Sequence, residues 1–307
     1  MKHLLNTLYV TTQGAYLARE GETVLVRTNG EVKLRVPIHT LGGIVCFGRV
    51  SCSPALMGLC GKNSVAISHL SENGRFLARI EGPVSGNVLL RREQYRRADD
   101  EHFAAGIARA VVTAKVANCR TVLLRAIRER SESSETEAMK VSANRLGHLL
   151  NELKDPLPIS VVRGKEGDAA RVYFNVFDHL ITAQKEDFFF HERSRRPPLD
   201  NMNALLSFIY TLLAHDVAAA LSAVGLDPAV GYLHTDRPGR NGLALDLMEE
   251  FRPYLADRLA LSLVNLRQVK PQGFHKTETG AVMMDDVTRK EVLVAYQERK
   301  QKEITHP

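Results

Sequence analysis

From Val88 to Arg130 the chain contains no proline and only one glycine, Gly106. Apolar side chains recur along it at helical spacing, among them Ala104, Ala108, Val111, Val112, Leu123 and Ile127. Nothing before it has that character. Leu8–Thr12 is β-branched, and Thr23–Arg27 and Val32–Val36 flank Asn29-Gly30. An Asn-Gly pair between two such runs predicts a tight hairpin, because both turn residues take positive φ. Further short runs follow at 44–47, 65–68 and 76–80, with a short helix expected over 54–61. Glu81–Asn87 holds two glycines and a proline and is the natural linker. Later helices are expected over 135–153, 168–182, 202–224, 243–251, 254–263 and 288–303. The fold class that follows is α+β. An N-terminal β-domain spans 1–85, and a C-terminal all-α helical domain spans 86–307.

The chain has 307 residues and 44% hydrophobic content, enough for one large or two ordinary domains with cores. Its net charge of +6 is uneven. Residues 1–90 carry 9 basic and 5 acidic side chains, 91–130 carry 10 and 5, and 131–307 carry 22 and 25. A polyanion gripped by one surface and processed by another fits this asymmetry, as does a merely soluble basic protein. Cys46, Cys52, Cys60 and Cys119 form no C-x-x-C pair, which argues against zinc. Met1–Asn6 lacks the apolar core of a signal peptide. No segment reads as the roughly 18 apolar residues that would span a bilayer. A reducing cytoplasm is the expected compartment.

Three stretches carry chemistry. Glu166 lies between Gly164 and Gly167, at what reads as a helix start. His234 follows the apolar run Ala229–Leu233 and precedes the loop Asp236–Gly242. Asp246 and Glu249 lie three apart on a helix whose other arc holds Leu243, Leu247, Met248 and Phe251. Adjacent carboxylates repel unless a cation sits between them. Carboxylates with an imidazole suit Mg²⁺ or Mn²⁺. Each element also has a plain reading: a solvated acidic face, a hydrogen-bonded structural histidine, and an acid placed by a helix dipole. No local spacing rule joins the three.

Taken together, the blocks resemble the CRISPR-associated integrase family of spacer acquisition. The matching residues are Glu166-Gly167 with Ala170-Arg171 and Tyr173-Phe174, and the Asn-rich helix start Asn201 with Tyr210. They continue through Gly231–His234, Asp246–Pro253 and Gly280–Asp285. The likeness covers nearly the whole chain, and its motif wording is nearest to type I systems, subtype I-C among them. The resemblance implies that Glu166, His234 and Glu249 hold the metal. Glu249 stands where some members have aspartate, and Asp246 is a neighbouring or alternative ligand. Tyr210 matches a tyrosine near the family's active site. A homodimer is also implied, with the β-domain serving dimerisation and DNA contact. Dimers would be bridged by a small ferredoxin-like partner protein.

The expected reaction is metal-dependent transesterification. A 3′-hydroxyl of a captured double-stranded DNA fragment attacks a phosphodiester of the repeat array. No G-x-x-x-x-G-K-[ST] loop is present, in keeping with a reaction that needs no nucleotide. For DNA contact the candidates are Arg91, Arg92, Tyr95, Arg96 and Arg97, where arginines cluster about a tyrosine, together with Arg171. The run Arg193–Arg196 is a second basic stretch that also reads as a plain surface loop. Two other functions remain open. One is a stand-alone metal-dependent nuclease for branched or damaged DNA; the other is a non-catalytic DNA-binding scaffold.

Overall fold

The computed structural model describes residues 6–83 and 88–302. Residues 84–87 of the expected linker lie outside the described residues, as do 1–5 and 303–307. The chain divides into two compact units. One comprises Met1–Asn87 with Leu293–Lys302, and the other is built on Val88–Val292.

The first unit is built on two four-stranded sheets. Strands β1 (Asn6–Val10), β2 (Tyr16–Glu20), β3 (Thr23–Thr28) and β4 (Glu31–Pro37) are followed by β5 (Leu41–Phe47) and β6 (Ser51–Cys52). After helix α1 (Pro54–Lys62) come β7 (Ala66–Leu70) and β8 (Phe76–Ile80). One sheet runs β1-β5-β7-β8, parallel except for β8; the other runs β4-β3-β2-β6. The Asn29-Gly30 hairpin forms between β3 and β4 with φ of 52° and 82°, as the turn chemistry requires. Leu17, Val24, Ile44, Leu56 and Ile67 fill the core of this unit. Ser53 caps α1 by accepting from the Leu56 N–H, with Pro54 in the first turn, where a missing N–H costs nothing. Strand β4 is an edge that leaves Val32 and Leu34 exposed.

The second unit contains α2 (Val88–Ala98), α3 (Glu101–Arg128), α4 (Ser134–Glu152), α5 (Ile159–Phe174) and α6 (Asn201–Ala223). Helix α7 (Gly242–Phe251) runs into a π-helical turn, Arg252–Asp257, and then α8 (Arg258–Asn265). A hairpin of β9 (Phe274–Lys276) and β10 (Val282–Met284) precedes α9 (Asp286–Lys300). This unit is therefore predominantly helical rather than all-α. Leu293–Lys302 groups with the β-unit rather than with the helical domain expected to hold this stretch. There the Lys300 ammonium meets the Thr7 hydroxyl and the Gln301 amide donates to Asn6.

Three sequence expectations are corrected in the helical unit. The proline-free stretch breaks into α2 and α3 because Asp100 accepts the N–H groups of His102 and Phe103, starting a new helix. Helix α5 begins at Ile159 after Pro158, well before Asp168. Glu166 is consequently at mid-helix, and the dipole argument for an acid at a helix start does not apply to it. Helix α6 is long and apolar enough to cross a membrane, contrary to the sequence reading. It is a core helix of this unit, started by an Asp200 cap and burying Met202, Leu205, Leu206, Phe208 and Ile209.

Candidate active site

Helix α3 packs against α4, α5 and α7, and this arrangement positions the site. Lys115, near the middle of α3, has a side chain only 7% exposed. Its ammonium bonds Glu249 Oε2 of α7 at 2.6 Å and also Glu166 Oε1 of α5. The other Glu249 oxygen receives Arg252 Nη1 at 2.6 Å. Glu249 is 2% exposed. Burial alone would raise its carboxyl, but the Arg252 guanidinium and the Lys115 ammonium hold it down at about 2, with a contribution from His234. Burial would lower the Lys115 ammonium; Glu249 and Glu166 overcome that and raise it.

His234 is positioned from below by Asp246. Gly231 and Gly242 make this possible: a Cβ on Gly231 would fall 2.7 Å from the Gly242 carbonyl carbon, so only glycine lets the 229–234 segment lie on the start of α7. Fully buried Asp246 then accepts three backbone N–H groups, from Tyr232 at 2.6 Å, Leu233 at 2.8 Å and His234 at 2.9 Å. The His234 ring Nδ1 meets Asp246 Oδ1 at 2.7 Å. Arg163 of α5 secures the same segment by donating from Nε to the Leu233 carbonyl at 2.6 Å. With Nδ1 committed to a carboxylate, Nε2 is the ring nitrogen left for a ligand, the usual arrangement behind a metal-binding histidine.

The π-turn brings two more groups into the same region. Arg252 returns onto Glu249, and Asp257 accepts the Tyr210 hydroxyl at 2.6 Å. Burial raises Asp257 to about 6 against the pull of Tyr210, Arg252 and Arg193, and it lifts Tyr210 well above the ordinary phenol range. Arg193 and Arg252 lie over the Tyr210 ring at 5.2 and 5.0 Å. A small cavity beside these groups is lined by Lys115, Glu166, Tyr210, Arg193, Arg195 and Arg252, among others.

Among the described residues, no three His, Cys, Asp or Glu side chains converge closely enough to hold an ion as they stand. What converges is the pair Glu166 and Glu249, on the Lys115 ammonium. The donor chemistry still fits a hard divalent ion: two acid oxygens face one buried cation position, and nearby is an imidazole with a fixed ring nitrogen.

The expected DNA-contact residues have separate placements. On α2, Arg91 Nε donates to the Gly225 carbonyl at 3.1 Å and the Tyr95 hydroxyl to Asp227 at 2.9 Å. Arg97 pairs with Glu93 and stacks on Phe103. Arg92 and Arg96 are exposed. Arg171 pairs with Asp168 at 2.6 Å on the α5 surface. Arg193 is half-buried, held by Asn203 at 2.7 Å and Ser207 at 3.0 Å. Lys115, Arg252, Asp257 and Arg193 escaped the sequence reading as members of the site. The lysine's only sequence signal is its place among small apolar residues of α3, where a solvated charge does not belong.

A family profile described as "CRISPR associated protein Cas1" matches residues 8–298. A protein of Chlorobaculum tepidum named CRISPR-associated endonuclease Cas1 1 is 52% identical over 307 residues, covering 100% of this chain and 90% of that one. A Thermus thermophilus protein, CRISPR-associated endonuclease Cas1 3, is 38% identical over 305 residues, covering 99% and 87%. Among solved structures, a CAS1 protein from Thermotoga maritima shares the fold with TM-score 0.84 at 24% identity, covering 97% of this chain and 91% of that one. A casposase bound to integration product aligns with TM-score 0.81 at 23% identity, over 98% and 84%. With its α+β architecture and these matches, the chain belongs to the Cas1 family of CRISPR-associated endonucleases.

Proposed function

We propose that this chain is a divalent-metal-dependent DNA endonuclease and integrase. It joins 3′-hydroxyl ends of captured DNA fragments into a repeat array, as part of a type I adaptation system, subtype I-C. The observation that carries this reading is the convergence of Glu166 and Glu249 on one buried cation position, close to an imidazole set by Asp246.

Glu166, His234 and Glu249 would hold Mg²⁺ or Mn²⁺. When bound, the ion would acidify the attacking hydroxyl and offset charge on the phosphorus. The chain's own side chains supply the rest. Asp246 fixes the His234 tautomer and ring plane. Arg252 keeps Glu249 anionic and aligned. Arg193, Arg195 and Arg252 give the cavity the positive potential that a phosphodiester needs. In the reaction a 3′-oxygen forms a new P–O bond as another P–O bond breaks. One phosphodiester replaces another, and the proton of the attacking hydroxyl ends on the leaving oxygen.

Double-stranded DNA is the proposed substrate, gripped in part by Arg92 and Arg96. A homodimer through the β-unit is supported by the exposed edge strand β4 with Val32 and Leu34. A small ferredoxin-like adaptation protein is the proposed partner. Support comes from a structural relative in a Cas6-RT-Cas1–Cas2 complex, with TM-score 0.83 over 100% of this chain and 33% of that one. The proposed compartment is the cytoplasm.

The test incubates the protein with a 3′-hydroxyl duplex and a repeat-bearing plasmid, with Mn²⁺ or with EDTA. Joined strands that vanish with EDTA, and in Glu166→Ala and His234→Ala, are the expected result. Cleavage without joining would favour the stand-alone nuclease, a reading that the endonuclease names of the relatives also support. Activity indifferent to EDTA would overturn the metal assignment.

A further inference from the structure

We propose that Lys115 is the built-in counter-cation of the acid pair, its ammonium and a divalent ion being alternative occupants of the space between Glu166 and Glu249. The inference rests on the metal reading above.

The geometry points to it in three ways. First, Lys115 spends its charge on the two acids. Its side chain is 7% exposed, it bonds both carboxylates, and its neighbour one turn on is the buried thiol Cys119. A lysine is costly to bury without such partners, so the pair and the lysine require one another in the metal-free state. Second, both oxygens of Glu249 are taken, Oε2 by Lys115 and Oε1 by Arg252. A divalent ion reaching Glu249 therefore competes with a cation already held on each oxygen. Third, the formal charges of Glu166, Glu249, Lys115 and Arg252 cancel. A divalent ion added to that set leaves a buried surplus of positive charge, which a low-dielectric interior tolerates poorly.

The cavity shows what would tip the exchange. Lys115 and Glu166 share its wall with Arg193, Arg195 and Arg252. A phosphodiester entering there brings the negative charge that the metal-loaded set lacks, and it offers the displaced ammonium a new partner. Metal and DNA then load together, and the DNA-free protein holds metal weakly. A purely structural ion pair makes the opposite prediction for metal affinity, since losing it would loosen the ligands.

The test is calorimetric titration of Mn²⁺ into the DNA-free full chain as wild type, Lys115→Met, Lys115→Arg and Lys115→Met/Glu166→Gln. Lys115→Met is expected to bind about tenfold more tightly than wild type, equivalent to roughly 1.4 kcal/mol. Lys115→Arg keeps the charge and should stay weak, and the double variant should lose the gain. Thermal melting gives a second readout: in EDTA Lys115→Met melts below wild type, and Mn²⁺ raises its midpoint more than it raises that of wild type. Equal or weaker Mn²⁺ affinity in Lys115→Met, with binding still lost on Glu166→Gln, overturns this proposal alone. Absence of Mn²⁺ binding by a folded Lys115→Met overturns the metal reading as well. Should that variant fail to fold, wild type decides the matter: low-micromolar Mn²⁺ binding without DNA overturns the proposal.

Discussion

Asp246 grips His234 twice with a single oxygen: Oδ1 accepts the histidine's backbone N–H at 2.9 Å and meets its ring Nδ1 at 2.7 Å. Its other oxygen accepts the N–H groups of Tyr232 and Leu233. One buried carboxylate thus closes the end of the loop and aims the imidazole. Loop stability and ring orientation are one property here.

Replacing Asp246 with alanine orphans three backbone donors at once. Unfolding free energy is expected to fall by about 3 kcal/mol or more, because each buried unpaired donor carries a desolvation cost. Urea unfolding measures it. A variant as stable as wild type would show that the loop does not depend on this carboxylate.

Tyr210 is too strongly held in its protonated form to serve as a base near neutral pH. Its hydroxyl instead donates to Asp257. Tyr210→Phe should therefore leave the shape of the pH–cleavage profile unchanged while lowering stability by about 1–2 kcal/mol. A profile with one limb removed would return the tyrosine to the proton-transfer chemistry.

Asp257 makes stability pH-dependent in the direction opposite to most aspartates. Burial lifts it to about 6 from an ordinary 3.8. A group raised on folding contributes stability that is complete below its unfolded value and is lost as pH climbs through the folded one. Between about pH 4 and 6 this group removes on the order of 3 kcal/mol. Asp257→Asn lacks that slope, so its stability relative to wild type should rise over this window. Chemical unfolding at several pH values reads the difference, and a constant offset would refute the assignment.

The two kinds of polar residue on α2 should separate cleanly. Gln94 is buried and exchanges bonds with both the N–H and the carbonyl of Asp227, each at 2.8 Å. Gln94→Ala should cost about 2 kcal/mol of stability through those orphaned groups. Arg92→Ala and Arg96→Ala should leave the melting midpoint in place. Each should weaken duplex binding and reduce its salt slope by about 1. Filter binding across a salt series decides it, and unchanged slopes would place the DNA elsewhere.

Local chemistry made much of the fold legible. The Asn29-Gly30 turn, the Pro54 helix start and the amphipathic α7 all follow from interactions within a few residues. Glycine counting failed at α5. Gly164 and Gly167 mark what reads as a helix start, yet a Cβ at either would meet nothing within 4 Å, and the helix runs through both. The Asp100 break was legible in principle, as an N-cap residue within an unbroken apolar pattern, but periodicity alone passed over it.

Sequence by itself determined the two-part α+β order, the Asp246–Glu249 helix and, through the family resemblance, the three motif blocks around Glu166, His234 and Glu249. Only the tertiary structure decided that Lys115 lies between two of those acids, since its partners are 51 and 134 residues away. Helical and turn preferences act over one or two turns of chain and leave a pattern that can be read. A buried charge finds its partner through packing, which brings together residues that share no spacing at all.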